Sequence, residues 1–373
     1  METTDVVIVG GGPAGSACAW KLRESGFDVV VIDKEVFPRD KVCAGWITPR
    51  VLDDLRIDPR EYSERRTFQP ISGFRVGVIG DDHAVDVSYG RVVSFGIRRC
   101  EFDDYLLRRS KAQLMVGAPV SGIRRDRSGW VVNESVRAPM LVGAGGHFCP
   151  VARMLNGARR QGPIVAAQEV ELLIDRRSCS VVGETPQLYF APDLTGYGWC
   201  FRKGGYVNVG FGQLDARGLP AKTAQFVDFL KTTGRLAGDR PAWRWRGHAY
   251  GLAGASSRRV AGDGVMLAGD AGALAHPQSG EGIQPAVESG LIAAAAIVEA
   301  NGDYRHDRLT PYVQRLHHRF GGGPLAGLWG LVPRVISTRM STALAPWLLD
   351  SPWFVRHVVL DRWFLHARAS ATP

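Results

Sequence analysis

Residues 5–9 read DVVIV, a continuous apolar and β-branched run of the kind that fits a strand buried on both faces of a parallel sheet. Residues 13–25 have helical composition and stop at Gly26, a natural residue for the turn after a helix. A second strand is expected over 28–32, ending in Asp33. Far downstream, 265–268 read VMLA, another short buried strand, and a long alanine-rich helix is expected from about 284 to 299. Between 163 and 251 the pattern changes to alternation, as in Tyr206-Val207-Asn208-Val209-Gly210-Phe211, which predicts an antiparallel sheet. After 320 the character changes again. Leu325, Leu328, Trp329, Leu331, Val332, Ile336, Trp347, Leu348, Trp353, Phe354, Trp363 and Phe364 are interspersed with Arg334, Arg339, Arg356 and Arg362. Pro324, Pro333, Pro346 and Pro352 divide this tail into short helices.

Composition narrows the class. With 373 residues, 45% of them hydrophobic, the chain can bury a large core, so it is not disordered. Its net charge of +9 is spread along the chain rather than gathered into an arm, which suits anionic small ligands and does not indicate nucleic acid. Six cysteines without a CxxC pair, and no leader-like N-terminus, predict reduced thiols in a cytoplasm. The longest apolar candidate, 286–300, carries Glu288 and Glu299, so a packed core helix is expected rather than a membrane span.

The first strand leads directly into Gly10, Gly12 and Gly15, a GxGxxG pattern that also contains Pro13 and Ala14. Gly10 permits the tight turn, Gly12 lets a pyrophosphate approach the backbone, and Gly15 lets the helix pack close to the strand. The helix N-terminus then offers free N–H groups and partial positive charge to phosphates. Asp33, 23 positions after Gly10 and followed by Lys34, can accept hydrogen bonds from the hydroxyls of an adenosine ribose and disfavours a 2′-phosphate. Strand, turn, helix, second strand and acid in register predict a dinucleotide site. The second cluster, Gly269-Asp270-Ala271-Gly272 and His276-Pro277-Gln278-Ser279-Gly280-Glu281-Gly282-Ile283, again feeds a helix N-terminus and can face negative charge.

Four segments together resemble the geranylgeranyl reductase branch of flavoproteins with the p-hydroxybenzoate hydroxylase fold. They are the GxGxxG unit with Asp33; 37–45, similar to PRxKxCGG with Ala44 in place of one glycine; 99–107, similar to RxxFDxxL; and 267–283, similar to GDAAG…P.TGEGI. The resemblance implies a tightly bound FAD, with Asp270 on the ribityl chain, Gly280, Glu281, Gly282 and Ile283 lining the ring, Gly269 among the cofactor contacts, and Arg99 toward the ribityl or phosphate region. It adds Lys34, Arg39, Cys43 and Ala44 to the cofactor set. It also implies an α/β (α+β composite) fold with a Rossmann-like FAD-binding layer over 1–70, 95–160 and 258–320, an antiparallel-sheet substrate domain over 71–94 and 161–257, and a helical region over 321–373. Gly196-Tyr197-Gly198-Trp199-Cys200-Phe201 resembles the YxWxFP stretch of prenyl reductases and the GWxWxI stretch of flavin halogenases, with Arg202 where the reductases keep proline. Relatives read GADGxxSxVR where this chain has Gly145 in place of the acid and Cys149 in place of the serine.

On this basis the expected reaction is reduction of a C=C bond in a hydrophobic, isoprenoid-like substrate by hydride from flavin N5, with Cys43 giving a proton to the other carbon. Tyr197, Trp199, Phe201, His276 and Pro277 are expected to line the substrate. No second GxGxxG is present, so NAD(P)H or another donor is expected to visit transiently. The alternative is an aromatic or polyketide monooxygenase acting through a flavin C4a-hydroperoxide; a halogenase and a non-catalytic flavoprotein rank lower. The tail is expected to cap a substrate tunnel or to touch a membrane surface peripherally.

Overall fold

A computed structural model of the chain describes residues 1–157, 162–237, 243–321 and 347–366. Its centre is a six-stranded sheet ordered Ala261–Gly262, Val265–Leu267, Met140–Gly143, Val6–Val9, Val29–Asp33, Gln113–Val116. All neighbours are parallel except the edge hairpin of the first two. Val6, Ile8, Val29 and Val31 point to one face and bury against the helices Pro13–Glu24 and Ile283–Ala300. Val7, Val9, Val30 and Ile32 point to the other and bury against Trp130, Val132 and Val136 of a small four-stranded sheet. Both faces are covered, which is why DVVIV shows no polar alternation.

The two helices touch closely because Gly290 has no side chain: a Cβ there would overlap the Ala14 carbonyl oxygen. By length and composition Ile283–Ala300 could cross a membrane, but 67% of it is buried inside the fold, as expected for a core helix.

The second layer is a seven-stranded sheet ordered Arg246–Gly251, Ile164–Leu173, Tyr206–Leu214, Gly196–Lys203, Gln187–Phe190, Gly73–Val78, Ala84–Ser88. Every pairing is antiparallel except one. Gln187–Phe190 runs parallel to Gly73–Val78, because the latter strand enters from the first half of the chain rather than through a hairpin. One face of this sheet carries the helix Leu219–Thr232. The other receives the C-terminal segment, a π-helical stretch Val355–Phe364 whose Val355, Val359, Leu360 and Phe364 are buried beside Phe74, Trp46 and Trp199. Of the tail residues singled out from the sequence, those between 322 and 346 lie outside the described residues.

Candidate functional site

A cavity of about 540 Å³ opens where the C-terminal ends of the parallel strands meet the seven-stranded sheet. Gly10, Gly12, Pro13 and Ala14 of the first turn line it, with Asp33 and Lys34 from the end of the second strand. Gly10 has φ +112°, and a Cβ there would overlap the Ala144 carbonyl. Gly15 lies beneath the turn, where a Cβ would strike the Gly10 carbonyl oxygen, so its absence sets how closely helix and strand approach. Asp33 closes the unit by accepting the Gly11 N–H at 2.7 Å and the Glu35 N–H at 2.9 Å.

Next to this turn stands a buried cationic cluster. Arg99 donates two 2.8 Å hydrogen bonds to Asp103, and Arg39 Nη1 lies 3.0 Å from the same carboxylate. Burial opposes the charge of Asp103, yet Arg99, Arg39 and Lys41 hold its carboxyl below the usual range. Two guanidiniums on one carboxylate leave positive charge over. Arg39 Nη1 makes no hydrogen bond of good geometry, while Nη2 approaches within 3.6 Å of where a Gly12 Cβ would be. An uncapped helix N-terminus and an unsatisfied guanidinium converging on one glycine turn fit a pyrophosphate.

At the far side, Gly269, Asp270, Gly280, Gly282 and Ile283 line the same cavity. His248 Nε2 lies 3.5 Å from Asp270 Oδ2, and Lys41 Nζ lies 2.7 Å from the same His248 nitrogen. Burial pulls Lys41 down to about 8, with Asp270 opposing, and lowers His248 in the same way. Burial works against the Asp270 carboxylate too, but His248, Lys41 and Arg99 keep it below the ordinary range. Gly280, at φ +69°, leaves room for the Tyr250 hydroxyl, and the Tyr197 hydroxyl donates to the Ser279 carbonyl at 2.5 Å. His248 and Tyr250 were absent from the sequence-based set. Their spacing of two on one strand, which puts both on one face, is the signal that could have found them. Lys41 lies within the 37–45 motif, which by itself gives it no role.

Cys43, Ala44 and Arg99 form the middle of the wall, with Tyr197 and Trp199 opposite. The backbone around Cys43 is clamped from behind by three buried polar side chains. Asn208 Nδ2 donates to the Cys43 carbonyl at 3.3 Å and to Glu169 at 2.9 Å, while Asn208 Oδ1 accepts the Trp199 indole N–H at 2.7 Å. Glu169 accepts the Cys43 N–H, and burial raises its carboxyl to about 7, against the Asn208 hydrogen bond and the Lys203 cation. Lys203, only 1% exposed, donates to the Ala44 and Ile97 carbonyls at 3.0 Å each and pairs with Glu171 at 2.5 Å.

Three of the expected substrate-lining residues do not line the cavity. Phe201 shares the face of Tyr197 and Trp199 but is covered by Trp46, whose ring lies 5.9 Å away. His276 is half-buried and stacks on His366 at a ring separation of 3.8 Å, and Pro277 is exposed. Phe364 and Trp46, stacked 5.2 Å apart, take their place in the wall. The two departures from the family pattern fit one another: a Cβ at Gly145 would lie 3.3 Å from Cys149 Sγ, so the larger sulfur is accommodated where the acid side chain would begin. Cys149 is fully buried, and its thiol is pushed up by that burial.

Comparison with known proteins decides the family. A family model described as FAD dependent oxidoreductase matches residues 5–76. Menaquinone reductase of Mycobacterium tuberculosis is 32% identical over 318 residues, covering 79% of this chain and 76% of that protein. A digeranylgeranylglycerophospholipid reductase of Methanothrix thermoacetophila is 29% identical over 345 residues, covering 85% and 84%. The chain belongs to the geranylgeranyl reductase family of FAD-dependent oxidoreductases. Among solved structures, a geranylgeranyl bacteriochlorophyll reductase-like protein of Thermoplasma acidophilum shares the fold of this family member with a TM-score of 0.78. It is 22% identical, and the match covers 98% of this chain and 97% of that one. Membership of the family implies FAD as the cofactor.

Proposed function

We propose that this protein reduces a carbon–carbon double bond in a hydrophobic, isoprenoid-like substrate. The observation that carries the reading is the division of one cavity. Its polar end is the glycine turn with Arg39 and Asp33, whereas its other end is walled by Trp46, Tyr197, Trp199 and Phe364 next to Cys43. When bound and reduced, FAD supplies the hydride for such a reaction.

The chain's own residues do the rest. The free N–H groups after Gly12 and the Arg39 guanidinium neutralise the pyrophosphate, Asp33 accepts from the adenosine ribose, and Asp270 accepts from the ribityl hydroxyls. Lys34, Ala44, Arg99, Gly269, Gly280, Gly282 and Ile283 complete the contacts along the cofactor. The aromatic wall holds the apolar chain and excludes water, and the Cys43 thiol gives a proton to the carbon that does not receive hydride. Glu169 and Asn208 position Cys43 through its main chain, and Lys203 holds the adjoining Ala44 carbonyl. NAD(P)H or another donor visits transiently, since the sequence holds no second glycine-rich nucleotide unit. Trp347 and Trp353, exposed on the C-terminal segment, suit contact with the lipid surface that delivers the substrate.

The test is anaerobic incubation of the dithionite-reduced holoprotein with menaquinone and with a geranylgeranylated glycerophospholipid, followed by mass spectrometry. The expected product gains two hydrogens per reduced bond. Cys43→Ala is expected to keep its flavin absorbance and to turn over about 10²- to 10⁴-fold more slowly, the usual worth of a general acid. Failure to add hydrogen to any prenyl lipid, or addition of oxygen in air, overturns the reading.

A further inference from the structure

Behind the flavin-loop side of the cavity, three buried ligand atoms converge without partners. His276 Nε2, Glu281 Oε2 and His366 Nε2 are each inaccessible to solvent and make no hydrogen bond. All three lie within 4.8 Å of one another, with His276 and Glu281 3.9 Å apart. We propose that His276, Glu281 and His366 form a divalent-metal site of the zinc class that ties the C-terminal segment to the Ser279–Gly282 loop.

The donor set is suited to the task. Two imidazoles and a carboxylate are ordinary zinc ligands, and bonds of about 2.0–2.1 Å in a tetrahedral site put ligand atoms about 3.3 Å apart. At separations from 3.9 Å to at most 4.8 Å, the ligand atoms need to close by about 0.6 to 1.5 Å, within reach of side-chain adjustment. Buried polar atoms left unpaired are costly, so an occupant that satisfies all three at once has a clear driving force.

The scaffold also holds His276 and Glu281 in place. The His276 N–H donates to the Glu281 carbonyl at 2.9 Å and the Gly280 N–H donates to the His276 carbonyl at 2.9 Å, closing a turn that fixes two ligands five residues apart. The Gln284 N–H donates to Glu281 Oε1 at 2.8 Å, which holds the carboxylate and leaves Oε2 free, as an outer-shell partner does in metal sites. The nearest cation, Arg319, is already matched by both oxygens of Glu288 at 2.6 and 2.9 Å, so it does not compete for Glu281.

The consequence is mechanical. Phe364, two residues before His366, lines the cavity, as do Ser279, Gly280 and Gly282. A metal held by these ligands would therefore lock one aromatic wall residue against the loop beside the cofactor.

The experiment is calorimetric titration of Zn²⁺ into chelator-treated holoprotein, with elemental analysis of the dialysed product. One equivalent is expected to bind. His366→Ala and His276→Ala are each expected to weaken binding by at least about 100-fold, beyond the loss of an outer-shell partner. Flavin absorbance should remain in both variants and show that they are folded. His357→Ala, an exposed histidine elsewhere on the same segment, should bind like the parent. Absence of binding by the parent, parent-like binding by both ligand variants, or an equal loss in His357→Ala overturns the proposal.

Discussion

Replacing Glu169 with glutamine tests whether the clamp behind Cys43 contains a protonated acid. Glu169 is 6% exposed, and burial raises its carboxyl from 4.5 to about 7. The folded chain therefore binds this proton more tightly than the unfolded chain does. The associated stability is fully present below the unfolded value and is lost as pH rises through about 7. A shift of that size corresponds to about 3 kcal/mol across the interval. Glutamine is neutral at every pH and its carbonyl can still accept from Asn208. Glu169→Gln is expected to match the parent near pH 4 and to exceed it by up to about 3 kcal/mol near pH 8. The assay is urea unfolding of the FAD-saturated proteins at the two pH values. Glu281, whose carboxyl is also raised by burial to about 7, contributes the same slope to both proteins and cancels in the difference. An equal stability difference at both pH values, or a variant weaker than the parent at pH 8, would refute the reasoning.

Asp270→Ala is expected to lose a charged acceptor worth about 1.5–3 kcal/mol, weakening FAD by roughly 10- to 100-fold and yielding pale protein on purification; full retention of flavin counts against the assignment. Because burial lowers Lys41 to about 8, its cation is present below that pH and disappears above it. FAD affinity measured by flavin fluorescence is therefore expected to fall as pH rises through 8, and Lys41→Met is expected to remove that dependence. A parent whose affinity does not change from pH 7 to pH 9 would remove Lys41 from the cofactor's surroundings.

What was legible in the sequence was legible because local patterning and tertiary structure agree. DVVIV lacks alternation because both of its faces are buried, and Gly10 and Gly15 are glycines because any Cβ would meet a carbonyl. The strand expected from 28 begins at Val29 and ends in Asp33, whose carboxylate accepts the Gly11 N–H of the turn. Other features depend on contacts that no local pattern records. Phe201 has the same strand parity as Trp199, yet Trp46, 155 positions earlier, covers it. Phe364 reaches the cavity only because a π-helical segment lays it across the second sheet, and the Lys41–His248 approach spans 207 positions.

The placement of Cys43 shows how the two sheets divide the work. The glycine turn and Asp33 belong to the parallel sheet, so that sheet sets where a dinucleotide lies. Cys43 sits in a loop, but its main chain is held by Glu169 and Asn208 and that of its neighbour Ala44 by Lys203, three residues from three adjacent strands of the other sheet. Trp199, bonded to the same Asn208, belongs to that sheet as well. Under the proposed reaction, the distance between hydride source and proton donor is therefore fixed by how the sheets pack, not by the loop itself. The buried Lys203, with its 1% exposure and three oxygen partners, crosses that boundary by bonding the Ala44 and Ile97 carbonyls. Burying an ammonium is tolerated only when it is paired and hydrogen-bonded, and at Lys203 those bonds also fix the Cys43 loop on the second sheet.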